Sequence, residues 1–159
     1  MTNRFSLRFA RRTLLGACAA LLAISPLAAR AEADALDLAR YRGKVVYVDF
    51  WASWCGPCKL SFPFMQQLAA RYPAGDVAVI TINLDRQRPQ AEAFLRQVHA
   101  TLPVVYDPQG NLAKTWQVAD MPTSLVFDRK GTMRFRHQGF FPGKAAEYEG
   151  HIAQLVREK

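Results

Sequence analysis

Cys55 and Cys58 are the residues whose type and spacing most directly allow chemistry. They bracket Gly56-Pro57 as a C-x-x-C pair. An apolar, β-rich run, Val45-Val46-Tyr47-Val48-Asp49-Phe50, leads into them and breaks at Ala52-Ser53. The pattern then re-forms as a helix predicted to open near Cys55. Two thiols three apart at a helix N-terminus can close a small disulfide ring. The outer one lies where unpaired backbone N–H groups stabilise a thiolate. Pro57 suits the first helical turn, where its missing N–H costs nothing. A zinc half-site would need a second C-x-x-C or a nearby His, and neither accompanies the pair. Lys59 after Cys58 excludes a C-x-x-C-H haem attachment site.

Val48-Asp49-Phe50-Trp51-Ala52 followed by Trp54-Cys55-Gly56-Pro57-Cys58-Lys59 resembles the active-site segment of thioredoxins. The continuation Phe62-Pro63-Phe64-Met65 is closer to the exported TlpA/ResA-like disulfide reductases. So are Gly43-Lys44-Val45-Val46 before the strand and Met121-Pro122-Thr123-Ser124 far downstream. The resemblance covers roughly residues 36–139. It implies a thioredoxin-like α/β fold: a central mixed β-sheet flanked by helices, with an extra helix-strand insertion. It implies a periplasmic thiol–disulfide oxidoreductase, a disulfide reductase of the kind associated with cytochrome c biogenesis. Its Cys55–Cys58 pair would be the redox disulfide. Cys55 would be the nucleophile and Cys58 the buried resolving thiol that releases the reduced substrate.

Further roles follow from the same resemblance. Pro122 matches the proline of the loop facing the C-x-x-C, joined to Met121 by a cis bond. Met121, Trp54, Gly56 and Pro57 would then form the substrate-binding surface, with the backbone of Met121 pairing to an extended substrate segment. Trp51 is expected as a packing wall. Asp49 matches the thioredoxin acid beneath the C-x-x-C and is the expected base for Cys58. Burial in an apolar run should raise its pKa. Two departures stand out. TlpA/ResA-like proteins commonly carry glutamate where this chain has Ser61, and often glycine where it has Asp120. The first questions a narrow role on apocytochrome c; the second alters the substrate fit.

Residues 1–31 read as a secretory signal peptide. Arg4, Arg8, Arg11 and Arg12 precede an apolar stretch, and Ala29-Arg30-Ala31 offers a cleavage site. An uncleaved membrane anchor is the alternative, opposed by Pro26 and the shortness of the run. Arg11-Arg12 leaves twin-arginine export open beside the general route. The whole chain carries +8. Five arginines lie in the leader, so residues 32–159 carry only +3, which excludes an argument for nucleic-acid binding. Arg86 and Arg88, and Arg129, Lys130, Arg134 and Arg136, read as solvated loop and hairpin faces. Cys18 leaves with the leader. The only two remaining cysteines form the C-x-x-C, so the disulfide is working chemistry rather than part of a framework.

The remaining 128 residues suffice for one domain. Strands are predicted over 45–50, 77–84, 102–106, 123–127 and 133–137. Helices are predicted over 55–71, 90–100, 111–116 and 145–157. Pro63 should kink the first helix without ending it. Ala93, Phe94 and Val98 are expected inward on the second, and Tyr148, Ile152, Leu155 and Val156 on the last. His99, His137 and His151 show no metal or triad spacing. This order suits a mixed sheet covered on both faces and ending in an antiparallel hairpin.

No cofactor and no metal ion is expected. The expected partners are disulfide-bonded protein substrates and a membrane electron donor of the DsbD kind, with the chain a monomer. Alternatives are an oxidase or isomerase of the same fold, or a protein using the dithiol to hold or reduce copper in oxidase assembly.

Overall fold

The computed structural model describes residues 36–158. The leader, with Cys18 and the expected cleavage site, lies outside the described residues. A turn of 3-10 helix, Leu38–Tyr41, precedes strand β1, Val45–Trp51. Then follow helix α1, Cys58–Arg71; strand β2, Val77–Asn83; helix α2, Arg88–Gln97; and strand β3, Val104–Tyr106. Helix α3, Asn111–Thr115, leads to the hairpin of β4, Thr123–Phe127, and β5, Met133–Gln138. Helix α4, Ala145–Arg157, closes the fold.

The five strands form one sheet in the order β3-β2-β1-β4-β5. β1 is parallel to β2 and antiparallel to β4, β2 is parallel to β3, and β4 and β5 pair as an antiparallel hairpin. The centre of this sheet is β1, buried along its whole length. It can be so because its alternating residues are apolar on both sides. Val46, Val48 and Phe50 join Ile80, Ile82, Leu125 and Phe127 in one core layer. The short α3 and the 3-10 turn cover that layer, through Ala113, Leu38 and Tyr41. Val45, Tyr47 and Trp51 enter the other layer, packed beneath α1, α2 and α4 by Phe62, Met65, Leu68, Phe94, Ile152 and Leu155.

Three local expectations are corrected. The first helix begins at Cys58, not at Cys55. Residues 55–57 form a turn in which Cys55 N–H donates to Ala52 O, and Lys59 N–H reaches back only three residues to Gly56 O. Pro57, without an N–H, stands at the cap position with helical backbone angles. The second helix starts two residues earlier than expected, at Arg88. Its inward stripe runs through Ala91, Phe94, Leu95 and Val98 at helical spacing, which leaves Ala93 exposed. Pro63 sits inside α1, which runs through it to Arg71.

Candidate active site

The C-x-x-C stands where β1 hands over to α1, at one end of the sheet. Cys55 and Cys58 are joined by a disulfide. Cys55 is 5 % exposed and Cys58 fully buried, so the outer sulfur belongs to Cys55. The backbone N–H of Cys58, the first of α1, donates to Cys55 Sγ at 3.3 Å. That bond and the helix N-terminus both favour negative charge on the Cys55 sulfur.

The turn is held from below. Asp85, buried just beyond β2, accepts from Ser53 N–H at 2.9 Å and from the Ser53 hydroxyl at 2.8 Å. Asn83 donates to the same carboxylate at 2.7 Å and accepts from the Asp85 N–H. This clasp fixes the residue before Trp54, whose side chain is 70 % exposed. Trp51 is enclosed by Phe62 and Phe94, with ring centroids 5.0 and 4.9 Å away. Its buried indole N–H has no hydrogen-bond partner among the described residues. The clasp was missed in the sequence because Asp85 reads there as an ordinary loop acid.

Beside the disulfide lies a surface hollow lined by Trp54, Cys55, Gly56, Pro57 and the loop residues Ala119, Asp120 and Met121. The Met121–Pro122 bond is cis. Gly139, at φ +74°, donates its N–H to Pro122 O at 2.7 Å and so ties the loop to the end of β5. A side chain at Gly139 would strain that backbone and press within 3.2 Å of the Phe141 ring. The hollow therefore gathers Trp54, Gly56, Pro57 and Met121 beside Cys55, with Pro122 next to Met121 in the chain.

Asp49 lies on the buried side, 1 % exposed. Burial pushes its carboxyl well above the usual range, and the nearby Ser61 hydroxyl only partly offsets this. Ser61 Oγ is 3.0 Å from Cys58 O and 3.5 Å from Asp49 Oδ2. One hydroxyl proton serves one acceptor at a time, and the shorter contact is to Cys58 O. Asp49 Oδ2 is thus the second and weaker acceptor of the Ser61 hydroxyl, which is why that hydroxyl offsets the effect of burial only in part. Among the described residues no ion pair reaches Asp49.

The histidines differ from their sequence impression. His99 is exposed, but His137 and His151 meet. Ser124 Oγ and His137 Nδ1 are 3.0 Å apart, and His137 Nε2 and His151 Nδ1 2.9 Å. Their spacing in sequence carries no hint of this, because the pairing of β4 with β5 and the docking of α4 create it.

A family model described as Redoxin matches residues 20–152. The ResA thiol-disulfide oxidoreductase of Bacillus thuringiensis subsp. konkukian (strain 97-27) is 32% identical over 100 residues, 63% of this chain and 58% of that protein. Sporulation thiol-disulfide oxidoreductase A of Bacillus subtilis (strain 168) is 32% identical over 93 residues, 57% of this chain and 56% of that one. The chain thus spans less than two thirds of the length of these curated relatives. Among solved structures, a Chlorobium tepidum protein assigned as thiol:disulfide interchange protein DsbE is 42% identical with a TM-score of 0.73. That alignment covers 76% of this chain and 86% of the other.

Proposed function

Because the chain belongs to the Redoxin family, we propose that it is a thiol–disulfide oxidoreductase that works as a disulfide reductase on exported proteins. The observation that carries this reading is the Cys58 N–H bonded to Cys55 Sγ at the head of α1, with Asp49 buried beneath. A cysteine of ordinary pKa, about 8.5, is mostly thiol at neutral pH. The helix terminus supplies about 0.3–1 kcal/mol. A hydrogen bond to a charged sulfur is worth about 1.5–3 kcal/mol. Both act through the free N–H groups at the head of α1, and both favour the thiolate of Cys55.

In the reduced protein, the Cys55 thiolate attacks one sulfur of a substrate disulfide, and the other substrate sulfur leaves as thiolate. The substrate segment lies in the hollow against Trp54, Gly56, Pro57 and Met121, beside Pro122. Cys58 then gives its proton to Asp49 and attacks Cys55 Sγ. The second substrate thiolate departs, and the Cys55–Cys58 disulfide remains. Two electrons have passed to the substrate. A membrane donor of the DsbD kind returns them, and no cofactor enters the cycle. The arginine-rich leader supports export to the periplasm by a cleaved signal peptide, with the domain over residues 32–159 acting as a monomer.

The test uses purified protein and insulin. The wild type should accelerate reduction of insulin by dithiothreitol, and Cys55→Ser should abolish this. Cys58→Ser should accumulate a mixed disulfide through Cys55, visible by mass on non-reducing gels. An indifferent Cys55→Ser variant, or no acceleration by the wild type, would sink the reading.

A further inference from the structure

Three buried polar residues stand in one line across the sheet. Asp49 of β1 is opposite Ser124 of β4, and Ser124 is opposite His137 of β5. Directly opposed residues of an antiparallel pair share a face, with Cβ atoms about 4.5–5.5 Å apart. The row therefore lies on the face beneath α1 and α4, where the neighbouring side chains are apolar. Polar groups in such a layer are costly unless partnered.

The hydrogen bonds continue the line outward. Ser124 Oγ meets His137 Nδ1, and His137 Nε2 meets Nδ1 of His151 on α4. The two imidazoles are within 13° of coplanar with centroids 5.2 Å apart, as a straight in-plane N–H···N bond requires. His151 is half-buried and lies flat on Phe135, with centroids 4.1 Å apart. It is the outermost member of the row.

A neutral imidazole donates from one nitrogen and accepts at the other. The chain Ser124–His137–His151 can therefore be filled in two ways of opposite polarity, each satisfying every bond. Passing a proton from one end to the other converts the first filling into the second. That is the behaviour of a proton shuttle.

We propose that Ser124, His137 and His151 form a proton path between the buried Asp49 carboxyl and solvent beside α4. This rests on the thiol–disulfide reading above. Each turnover places the Cys58 proton on Asp49, and that proton must leave before the next. Above Asp49 the way is closed by Cys58 and by Ser61, whose hydroxyl is held by Cys58 O. The cross-strand row is the alternative: Ser124 stands opposite Asp49 in the ladder, and the hydrogen-bonded chain runs from Ser124 through His137 to His151. The proton exits at His151, the departing substrate thiolates take theirs from solvent, and re-reduction of the disulfide draws one back inward.

The titratable groups facing the row are Tyr47 and Asp49 from β1, Cys58 from α1, and Glu147 and Tyr148 from α4. Tyr47 hydrogen-bonds Ser124, and burial keeps its phenol protonated. The Tyr148 ring lies 4.6 Å from His137. Burial, aided by His151 and opposed by Glu147, lowers His137 to about 4. His137 is thus neutral at neutral pH and passes a proton on rather than holding it.

The experiment is steady-state insulin reduction at neutral pH in a weak buffer, with the wild type, His151→Ala and His151→Gln. The Gln variant retains a hydrogen-bonding side chain beside His137 but cannot relay a proton as an imidazole does, and so controls for folding. Both variants should turn over about 10-fold more slowly, short of the 10²–10⁴-fold range for a base itself. The single-turnover rate of attack by Cys55 should be unchanged. Added imidazole should restore the Ala variant. Wild-type turnover in both variants would overturn the path, as would a slowing of His151→Ala that imidazole does not relieve. A wild type that reduces no disulfide would overturn the thiol–disulfide reading and the path together, whereas an active wild type with indifferent variants overturns the path alone.

Discussion

Asp49 is a carboxylic acid among valines and aromatics, and its burial has a thermodynamic signature. The folded protein raises its pKa above the unfolded value of about 3.9. The contribution of a group raised in this way is fully present below the unfolded pKa. It is lost as pH rises through the folded one, because the unfolded chain then ionises more readily. Asp49→Asn removes the group, so its stability relative to the wild type should grow between about pH 4 and about pH 8. Urea midpoints at the two ends measure this, and a constant difference would contradict the burial argument. The same variant should leave attack by Cys55 nearly intact and slow resolution by Cys58 about 10–100-fold, at or just below the usual range for a lost base. Stopped-flow reduction separates the two steps, and an Asn variant resolving at the wild-type rate would remove Asp49 from the mechanism. The face that Asp49 shares with Tyr47 was legible in the sequence, because strand alternation is local. Its alignment with Ser124 and His137 was not. That depends on the register between strands far apart in the chain, which no short window contains.

At the scale of elements, most of the sheet and its helices could be read from hydrophobic period and from Gly and Pro punctuation. The last helix matched to the residue, since Pro142-Gly143 isolates it and Tyr148, Ile152 and Leu155 repeat at helical spacing. The start of α1 was misplaced because a C-x-x-C turn and a first helical turn have the same composition. They differ only in where Cys55 N–H and Lys59 N–H bond. The Asp85 clasp was invisible for a related reason: it joins the ends of β1 and β2, which become neighbours only through parallel pairing. Asp85→Ala should strand the Ser53 N–H and Asn83 amide and lower stability by about 2 kcal/mol. By loosening the turn that carries Trp54 and Cys55, it should slow the attack step more than resolution. Urea denaturation and single-turnover kinetics check both, and an equal slowing of both steps would show that the clasp does not act on the turn.

For the molecule as a whole, the direction of electron flow is a single number. If the chain is a reductant, its Cys55–Cys58 couple should equilibrate with glutathione near the thioredoxin value, about −270 mV, and not near that of DsbA, about −120 mV. The interval corresponds to about 7 kcal/mol, and a value above about −180 mV would make the protein an oxidant or isomerase instead. Three of the basic residues that colour the sequence, Arg129, Arg134 and Arg136, tie parts of the fold together. Arg129 donates to Gly43 O and Val156 O and pairs with Asp76, Arg134 pairs with Asp128 and Glu158, and Arg136 donates to Trp116 O.

The sheet also has two rims. β3 offers only three residues, and β5 carries Arg134 and Arg136 on one side of its outer ladder. A brief strand and a charged one are poor templates for a foreign strand. On the proposed reading, unfolded or half-folded clients would bring such strands in numbers to a protein that opens their disulfides. With both rims blunted, an extended client that adds to neither can still reach the hollow at Met121. On that reading, blunt rims favour encounters that end in exchange at the cysteines over ones that end in co-aggregation.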